Sequence, residues 1–258
     1  MSATAEGLRV IVTAGAAGIG LAFTRTFAGA GAKVFVCDID ARALDAMRRE
    51  LPQVGGIVAD VSDPAQVDAL FAAAARTLGG LDVLINNAGI AGPTARVEDI
   101  SVDEWNRTIA VDLNGMFYCT RLAVPLLKKA GGGSIINLSS VAGRLGYALR
   151  TPYSSAKWAV VGFTKSLANE LGPSNIRVNT IQPGLVDGAR LRNVIRAKAK
   201  ALNVTEKEFE AELVSRVSLR RMVSEQDIAN MALFLATAGG ANISGQALSV
   251  CGNVESIV

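Results

Sequence analysis

The chain contains no histidine. The commonest catalytic acid/base and the commonest metal ligand are therefore both missing. Cysteine is nearly as scarce: Cys37, Cys119 and Cys251 are scattered, odd in number and lack metal-ligand spacing. They are expected to be buried, reduced thiols, and no metal site is expected. No apolar run is long enough to span a bilayer, and residues 1–7 carry neither a basic stretch nor an apolar one. A cytoplasmic protein is the expectation. Charge of one sign is also lacking, since 26 basic residues face 23 acidic ones for a net +3. That balance argues against nucleic acid or a membrane surface as partner and leaves a small molecule. Repeats, low-complexity tracts and Pro/Gly-rich linkers are absent as well, which points to a single domain.

What remains is rich in core-forming residues: half of the 258 are hydrophobic. Short β-branched runs at 8–12, 33–37, 56–59, 83–85, 134–138, 177–181 and 247–250 alternate with helical patterns. The helical patterns start near Gly18, Ala41, Pro64, Val102, Pro152 and Glu225. Continuous apolar strands alternating with helices predict an α/β fold, a doubly wound, Rossmann-type parallel sheet with helices on both faces. The rhythm breaks at about 187–222. Two charged helical patterns there, near 190–202 and 205–217, occupy the place of one crossover. An insertion at the carboxyl end of a late strand lies over the ligand crevice of such a sheet, so it is expected to be a substrate lid.

The first strand runs into Thr13-Ala14-Gly15-Ala16-Ala17-Gly18-Ile19-Gly20, followed by a helix. A glycine-rich strand-to-helix turn lets backbone N–H groups approach a diphosphate. The spacing is Gly-x-x-Gly-x-Gly; alanine/glycine-rich helix starts also serve close packing. Asp38 ends the second strand, where a carboxylate can accept hydrogen bonds from ribose hydroxyls and repel a 2′-phosphate. No cation stands nearby at Ala17 or Ile39, so NAD is favoured over NADP. Asp60 after the third strand and Asn86-Asn87-Ala88-Gly89 after the fourth add polar groups along the same edge; Asp60 could equally cap the next helix.

Tyr153 and Lys157 stand one helical turn apart, on one face. A free phenol has a pKa near 10 and is a poor base at neutral pH. A fixed cation about 4 Å away, at an effective dielectric near 20, supplies roughly 4 kcal/mol towards phenolate. Thr151 is placed to N-cap this helix, with Pro152 at its first position. Ala156, Val160, Phe163, Leu167 and Leu171 mark its buried stripe, and Trp158 and Val161 widen it enough to predict a subunit contact. In isolation Lys157 reads better as a snorkelling surface lysine and Tyr153 as an amphipathic packing residue.

In this order the motifs resemble the short-chain dehydrogenase/reductase family over nearly the whole chain: the glycine-rich turn, Asn86–Gly89, Asn114, Ser140, Tyr-x-x-x-Lys at Tyr153 and Lys157, and Pro183-Gly184. The resemblance implies a seven-stranded parallel sheet, nicotinamide-dependent alcohol/carbonyl interconversion, and a homotetramer or homodimer. It implies Tyr153 as acid/base, Lys157 as its activating cation and nicotinamide-ribose ligand, Ser140 as hydrogen-bond donor to the reacting oxygen, and Asn114 as anchor of a proton-relay water. Asp60 would contact the adenine and Asn86 the backbone beside the cofactor. The implied NAD site comprises Gly15, Gly18, Ile19, Gly20, Asp38, Asp60, Val61, Asn87, Ala88, Gly89, Tyr153, Lys157, Pro183, Gly184 and Val186.

Four positions depart from the family pattern. Ala14 replaces a glycine, so the turn is expected to rearrange, because alanine resists positive φ. Gly188 replaces a threonine, while Cys251 and Asn253 replace an aspartate and a glycine. Around the crevice mouth stand Arg96, Arg144, Arg150, Arg190, Arg192 and Arg196, which suit an anionic group. Arg144 and Arg150 are the substrate candidates, although single arginines on loops are commonly just solvated. The leading expectation is an NAD-dependent dehydrogenase of a secondary alcohol: a polar sugar, polyol or hydroxy acid. An NADPH-dependent ketone or 3-oxoacyl-thioester reductase is the alternative, and a non-catalytic nucleotide-binding protein the second.

Overall fold

The computed structural model describes residues 4–254. The expectation about the first seven residues therefore lies partly outside the described residues. Seven strands form one sheet in the order β3-β2-β1-β4-β5-β6-β7, every pair parallel. They are β1 (Arg9–Thr13), β2 (Lys33–Asp38), β3 (Gly55–Val58), β4 (Val83–Asn86), β5 (Gly133–Leu138), β6 (Ile176–Pro183) and β7 (Ala247–Val250). Strand order reverses between β1 and β4, and ligand crevices of such sheets open there, beyond the carboxyl ends.

Both faces of the sheet are apolar because side chains alternate along each strand. Val10 and Val12 of β1 join Phe23, Phe27, Leu44, Ile228 and Leu235 on one face. Ile11 joins Leu70, Phe71, Leu84, Cys119 and Leu127 on the other. The first layer is covered by α1 (Gly18–Gly29), α2 (Ala41–Glu50) and α9 (Glu225–Ala236), the second by α3 (Pro64–Leu78), α5 (Gly115–Lys129) and α6 (Thr151–Leu171). All three cysteines are buried and free. Burial pushes the Cys37 thiol up to about 12 and the Cys119 thiol well above its ordinary value.

Two features differ from the sequence expectation. The helical pattern starting at Val102 is interrupted: α4 (Val102–Ile109) passes into a π-helical segment, Ala110–Asn114, before α5 resumes. Thr151 does not cap α6; it is the helix's first residue, the cap position is Arg150, and no side chain accepts a hydrogen bond there. Pro152 removes one of the N–H groups that a cap would have satisfied.

The 187–222 insertion holds α7 (Ala189–Leu202) and α8 (Glu206–Ser215). They pack on the body through a third apolar cluster that includes Val141, Leu185, Ile195, Phe209, Leu213 and Val217.

Candidate active site

The glycine-rich turn is held from the inside by its neighbours. A Cβ on Gly20 would lie 1.8 Å from the Ala14 carbonyl oxygen, and one on Gly15 would lie 2.7 Å from Val36. Only glycine permits this approach. Ala14 adopts φ 49°, so the turn keeps its left-handed step despite losing the family's glycine. The Thr13 hydroxyl accepts the N–H groups of Asn87 and Ala88, each at 3.0 Å. The Asn87 side chain returns hydrogen bonds to the carbonyls of Thr13 and Ala14, each at 3.0 Å. Asp38 is buried at the tip of β2, where its carboxylate accepts the N–H of Ala16 at 3.1 Å and of Asp40 at 3.1 Å. The result is a close-packed cradle at the start of α1, whose first turn carries no acid. It fits a dinucleotide diphosphate: backbone approaches closely, the helix N-terminus favours negative charge, and the Asp38 carboxylate stands at the tip of β2 along the same edge.

Asn86 does not face this cradle. It is buried and donates to Thr120 at 3.1 Å and Asn137 at 2.9 Å, extending a network through Thr164 to Thr180. The backbone beside the cradle is held by Asn87 instead. The reason is strand alternation: Asn86 and Asn87 point to opposite sides. Asp60 bonds Ser62 at 2.7 Å and Arg107 at 3.0 Å. Burial opposes ionisation there, but those partners hold the carboxyl below its ordinary range. Gly184 lies so close to Cys251 that a Cβ would meet it at 2.6 Å, fixing the turn after β6.

Tyr153 and Lys157 share one face of α6, the ammonium 5.5 Å from the centroid of the phenol ring. Lys157 is only 3% exposed. Its Nζ donates to the Leu138 carbonyl at 3.2 Å and pairs with Asp112 Oδ2 at 3.3 Å. The other carboxylate oxygen of Asp112 accepts the Ile90 N–H at 2.6 Å. Gly89 makes room for this pair, since a Cβ would sit 3.3 Å from both Asp112 Oδ1 and Lys157 Nζ.

Asp112 was not among the expected site residues. Asn114, two positions on, shows no side-chain hydrogen bond to Lys157 among the described residues. The π-helical segment brings Asp112 to the ammonium instead. A signal was present in the sequence: Thr108, Asp112, Met116 and Cys119 lie on one buried stripe, and an acid on such a stripe requires a cationic partner.

Ser140 and Ser139 have separate tasks. Ser139 is buried and donates to the Lys157 carbonyl at 2.7 Å. Ser140 starts a 3-10 turn, Val141–Gly143, with its hydroxyl accepting the Ala142 N–H at 3.2 Å. Ser154 donates to the Ala142 carbonyl at 2.9 Å, which fastens this turn to α6 beside Tyr153.

The two arginines expected at the substrate diverge. Arg144 donates to the Val254 carbonyl at 2.6 Å and does not line the crevice, so its role is to hold the C-terminal segment. Arg150 does line a crevice of about 550 Å³, together with Gly89, Gly92, Arg190 and Asn193. Its guanidinium lies between two rings, 5.3 Å from the centroid of Tyr147 and 5.1 Å from that of Tyr153. Arg192 pairs with Asp187 and Glu210, and Arg196 with Glu206.

Comparison with known proteins gives the same direction. A family model described as enoyl-(acyl carrier protein) reductase matches residues 14–253. The chain belongs to the short-chain dehydrogenase/reductase family. It is 37% identical over 95% of its length to granaticin polyketide synthase putative ketoacyl reductase 1 of Streptomyces violaceoruber, covering 92% of that protein. It is also 37% identical to trans-4-hydroxycyclohexanecarboxylate dehydrogenase of Sinomonas cyclohexanicum, over 94% of this chain and 90% of the relative. Among solved structures, a 7α-hydroxysteroid dehydrogenase complexed with NADH and 7-oxo glycochenodeoxycholic acid superposes with a TM-score of 0.90. It is 33% identical, over 97% of this chain and 95% of that one. The short-chain dehydrogenase/reductase chain described here is thus a pyridine-nucleotide-dependent oxidoreductase acting on hydroxyl and keto groups.

Proposed function

We propose that the protein is an NAD-dependent dehydrogenase that interconverts a polar secondary alcohol and its ketone. Tyr153 acts as acid/base, with Ser140, Lys157 and, in the place expected for Asn114, Asp112 as its partners. The observation that carries this reading is the placement of Tyr153 and the buried Lys157 on one face of α6, beside the Gly89 edge of the cradle. The cradle residues Gly15, Gly18, Ile19 and Gly20, with Asp38, Asp60, Val61, Ala88, Gly89, Pro183, Gly184 and Val186 along the edge, would hold the cofactor. When bound, the nicotinamide supplies the acceptor or donor of hydride.

In the oxidative direction, Ser140 and Tyr153 receive the substrate hydroxyl. The Tyr153 phenolate takes its proton as the carbinol carbon gives up hydride. Lys157 keeps positive charge beside the phenol, and Asp112 and the Leu138 carbonyl hold that ammonium in place. The α7–α8 insertion serves as the lid, excluding water from the crevice. The exposed Trp158, at 52%, and Phe117, at 49%, support a homotetramer or homodimer built across α5 and α6. The balanced charge and buried thiols support a cytoplasmic setting.

NAD is favoured because Asp38 is a buried carboxylate at the ribose edge, where a 2′-phosphate would meet like charge. The similarity to a putative ketoacyl reductase favours the second reading, an NADPH-dependent ketone or 3-oxoacyl-thioester reductase. Titration with NADH and NADPH, followed by nicotinamide fluorescence, separates the two: NADH should bind at least about tenfold tighter. Tyr153→Phe should keep NADH affinity and lose about a hundredfold or more in kcat. Near-normal turnover by that variant would refute the assignment of the acid/base.

A further inference from the structure

Resting on the dehydrogenase reading of this site, we infer that the crevice receives the carboxylate of a hydroxy or oxo acid, and that Arg150 is the residue that selects it. Arg150 is 2% exposed, yet only one of its nitrogens has an acceptor: Nη2 donates to the Ala91 carbonyl at 2.5 Å. Its Nε and Nη1 are buried with no hydrogen-bond partner among the described residues. Buried guanidinium donors are almost always satisfied, and a buried cation without a counter-charge is costly. A planar anion supplies the counter-charge and can take parallel N–H bonds from one of these nitrogens and from Nη2, which carries a second N–H, and carboxylate is the group whose geometry matches.

The surroundings favour an incoming anion. No acid is among the residues lining the crevice. The nearest buried carboxylate, Asp112, is engaged by Lys157 and the Ile90 N–H. A second guanidinium, that of Arg190 in the first turn of α7, lies on the crevice wall 5.9 Å from the Tyr153 ring centroid. That first turn carries no acid, and its cap residue, Gly188, offers no side chain. The Lys198 ammonium lies 4.1 Å from the centroid of the Tyr147 ring, whose neighbour is Arg150. Burial, together with Arg150, pushes Lys198 down to about 8.

Backbone geometry fixes Arg150 for this task. Leu149 sits at φ 63°, a left-handed conformation costly for a branched side chain, and its carbonyl accepts the Ala95 N–H at 3.1 Å. With Arg150 bound to the Ala91 carbonyl, both ends of the 149–150 step are tied to the loop after β4. Because the guanidinium lies 5.1 Å from the Tyr153 ring, a carboxylate seated on it places a carbinol a few bonds away against the phenol. Neutral sugars and polyols can accept a hydrogen bond from Arg150 but cannot balance its charge.

The test uses the full chain saturated with NADH, titrated with two matched pairs of probes: butyrate against butyramide and benzoate against benzamide. Binding is read by calorimetry and by the change in NADH fluorescence. Each acid should bind at least about tenfold tighter than its amide. Arg150→Met should bring the ratio to about one with NADH affinity unchanged, and Arg190→Gln should lower it about threefold. Arg150→Lys covers the case in which the methionine variant does not fold: it keeps the charge, loses the fork and should give an intermediate ratio. Equal binding of acid and amide, no acid binding at millimolar concentration, or a ratio untouched in both Arg150→Lys and Arg190→Gln would overturn the inference. Failure to bind NADH at all would instead bring down the dehydrogenase reading on which it rests.

Discussion

The two sides of the crevice are built on opposite plans. On the cradle side, polar groups satisfy one another. Thr13 takes two N–H groups, Asn87 returns two hydrogen bonds, Asp38 takes two more, and Asp60 is shared by Ser62 and Arg107. On the other side, buried donors are left open at Arg150 Nε and Nη1. A surface closed on itself presents backbone and shape, which suits a cofactor common to many enzymes. A surface with unmet charge is completed only by the right ligand, which suits discrimination between substrates.

This contrast can be broken or sharpened by experiment. The largest effect is expected at Gly20→Ala. The new methyl would overlap the Ala14 carbonyl, so the cradle cannot keep its shape, and NADH affinity should fall about a hundredfold or more by calorimetry. Survival of tight binding would mean that the cradle is more pliant than its packing indicates. Next comes Asp112→Ala, which leaves a buried ammonium without its carboxylate and should cost roughly 3–5 kcal/mol in denaturant unfolding. Asp112→Asn retains an acceptor for the Ile90 N–H and should lose less.

The smallest effect concerns Lys198. Its folded pKa, about 8, lies below the 10.5 of the free group, so the unfolded chain binds the extra proton. Stability should therefore rise as pH increases from about 8 towards 10.5. Melting curves of Lys198→Met and the unaltered protein should differ most near neutral pH and converge at the alkaline end of that window.

Much of the architecture was legible in the residue pattern because continuous apolar strands and capped helices carry strong local signals. The starts of α2 at Ala41, α3 at Pro64 and α9 at Glu225 coincide with acid or serine caps at Asp40, Asp63 and Ser224. The seven-stranded parallel sheet agrees with what the family resemblance implied. The cradle glycines and the Tyr153–Lys157 face were legible for the same reason, since fixed spacing in one element fixes geometry. What could not be read depended on elements distant in sequence. Asp112 meets Lys157 only through the π-helical segment, Arg144 finds its acceptor at Val254, and Arg150 is buried by Tyr147 and Tyr153 together. Long flexible side chains choose among partners that only the assembled fold supplies.

The widened turn at Ala110–Asn114 also has a bearing on how this chain tolerates insertion and deletion. An ordinary helical residue advances the side-chain direction by about 100°. A π-helical turn takes up one residue more than an α turn, so losing a single amino acid there would let the coil close to an ordinary turn and keep the phase downstream. Phe117 would keep its exposed bearing and Cys119 and Leu127 their core contacts, while Asp112 would leave the Lys157 ammonium. The slack in that one coil thus acts as a gear tooth, keeping an acid inward and an aromatic outward on a single continuous rod.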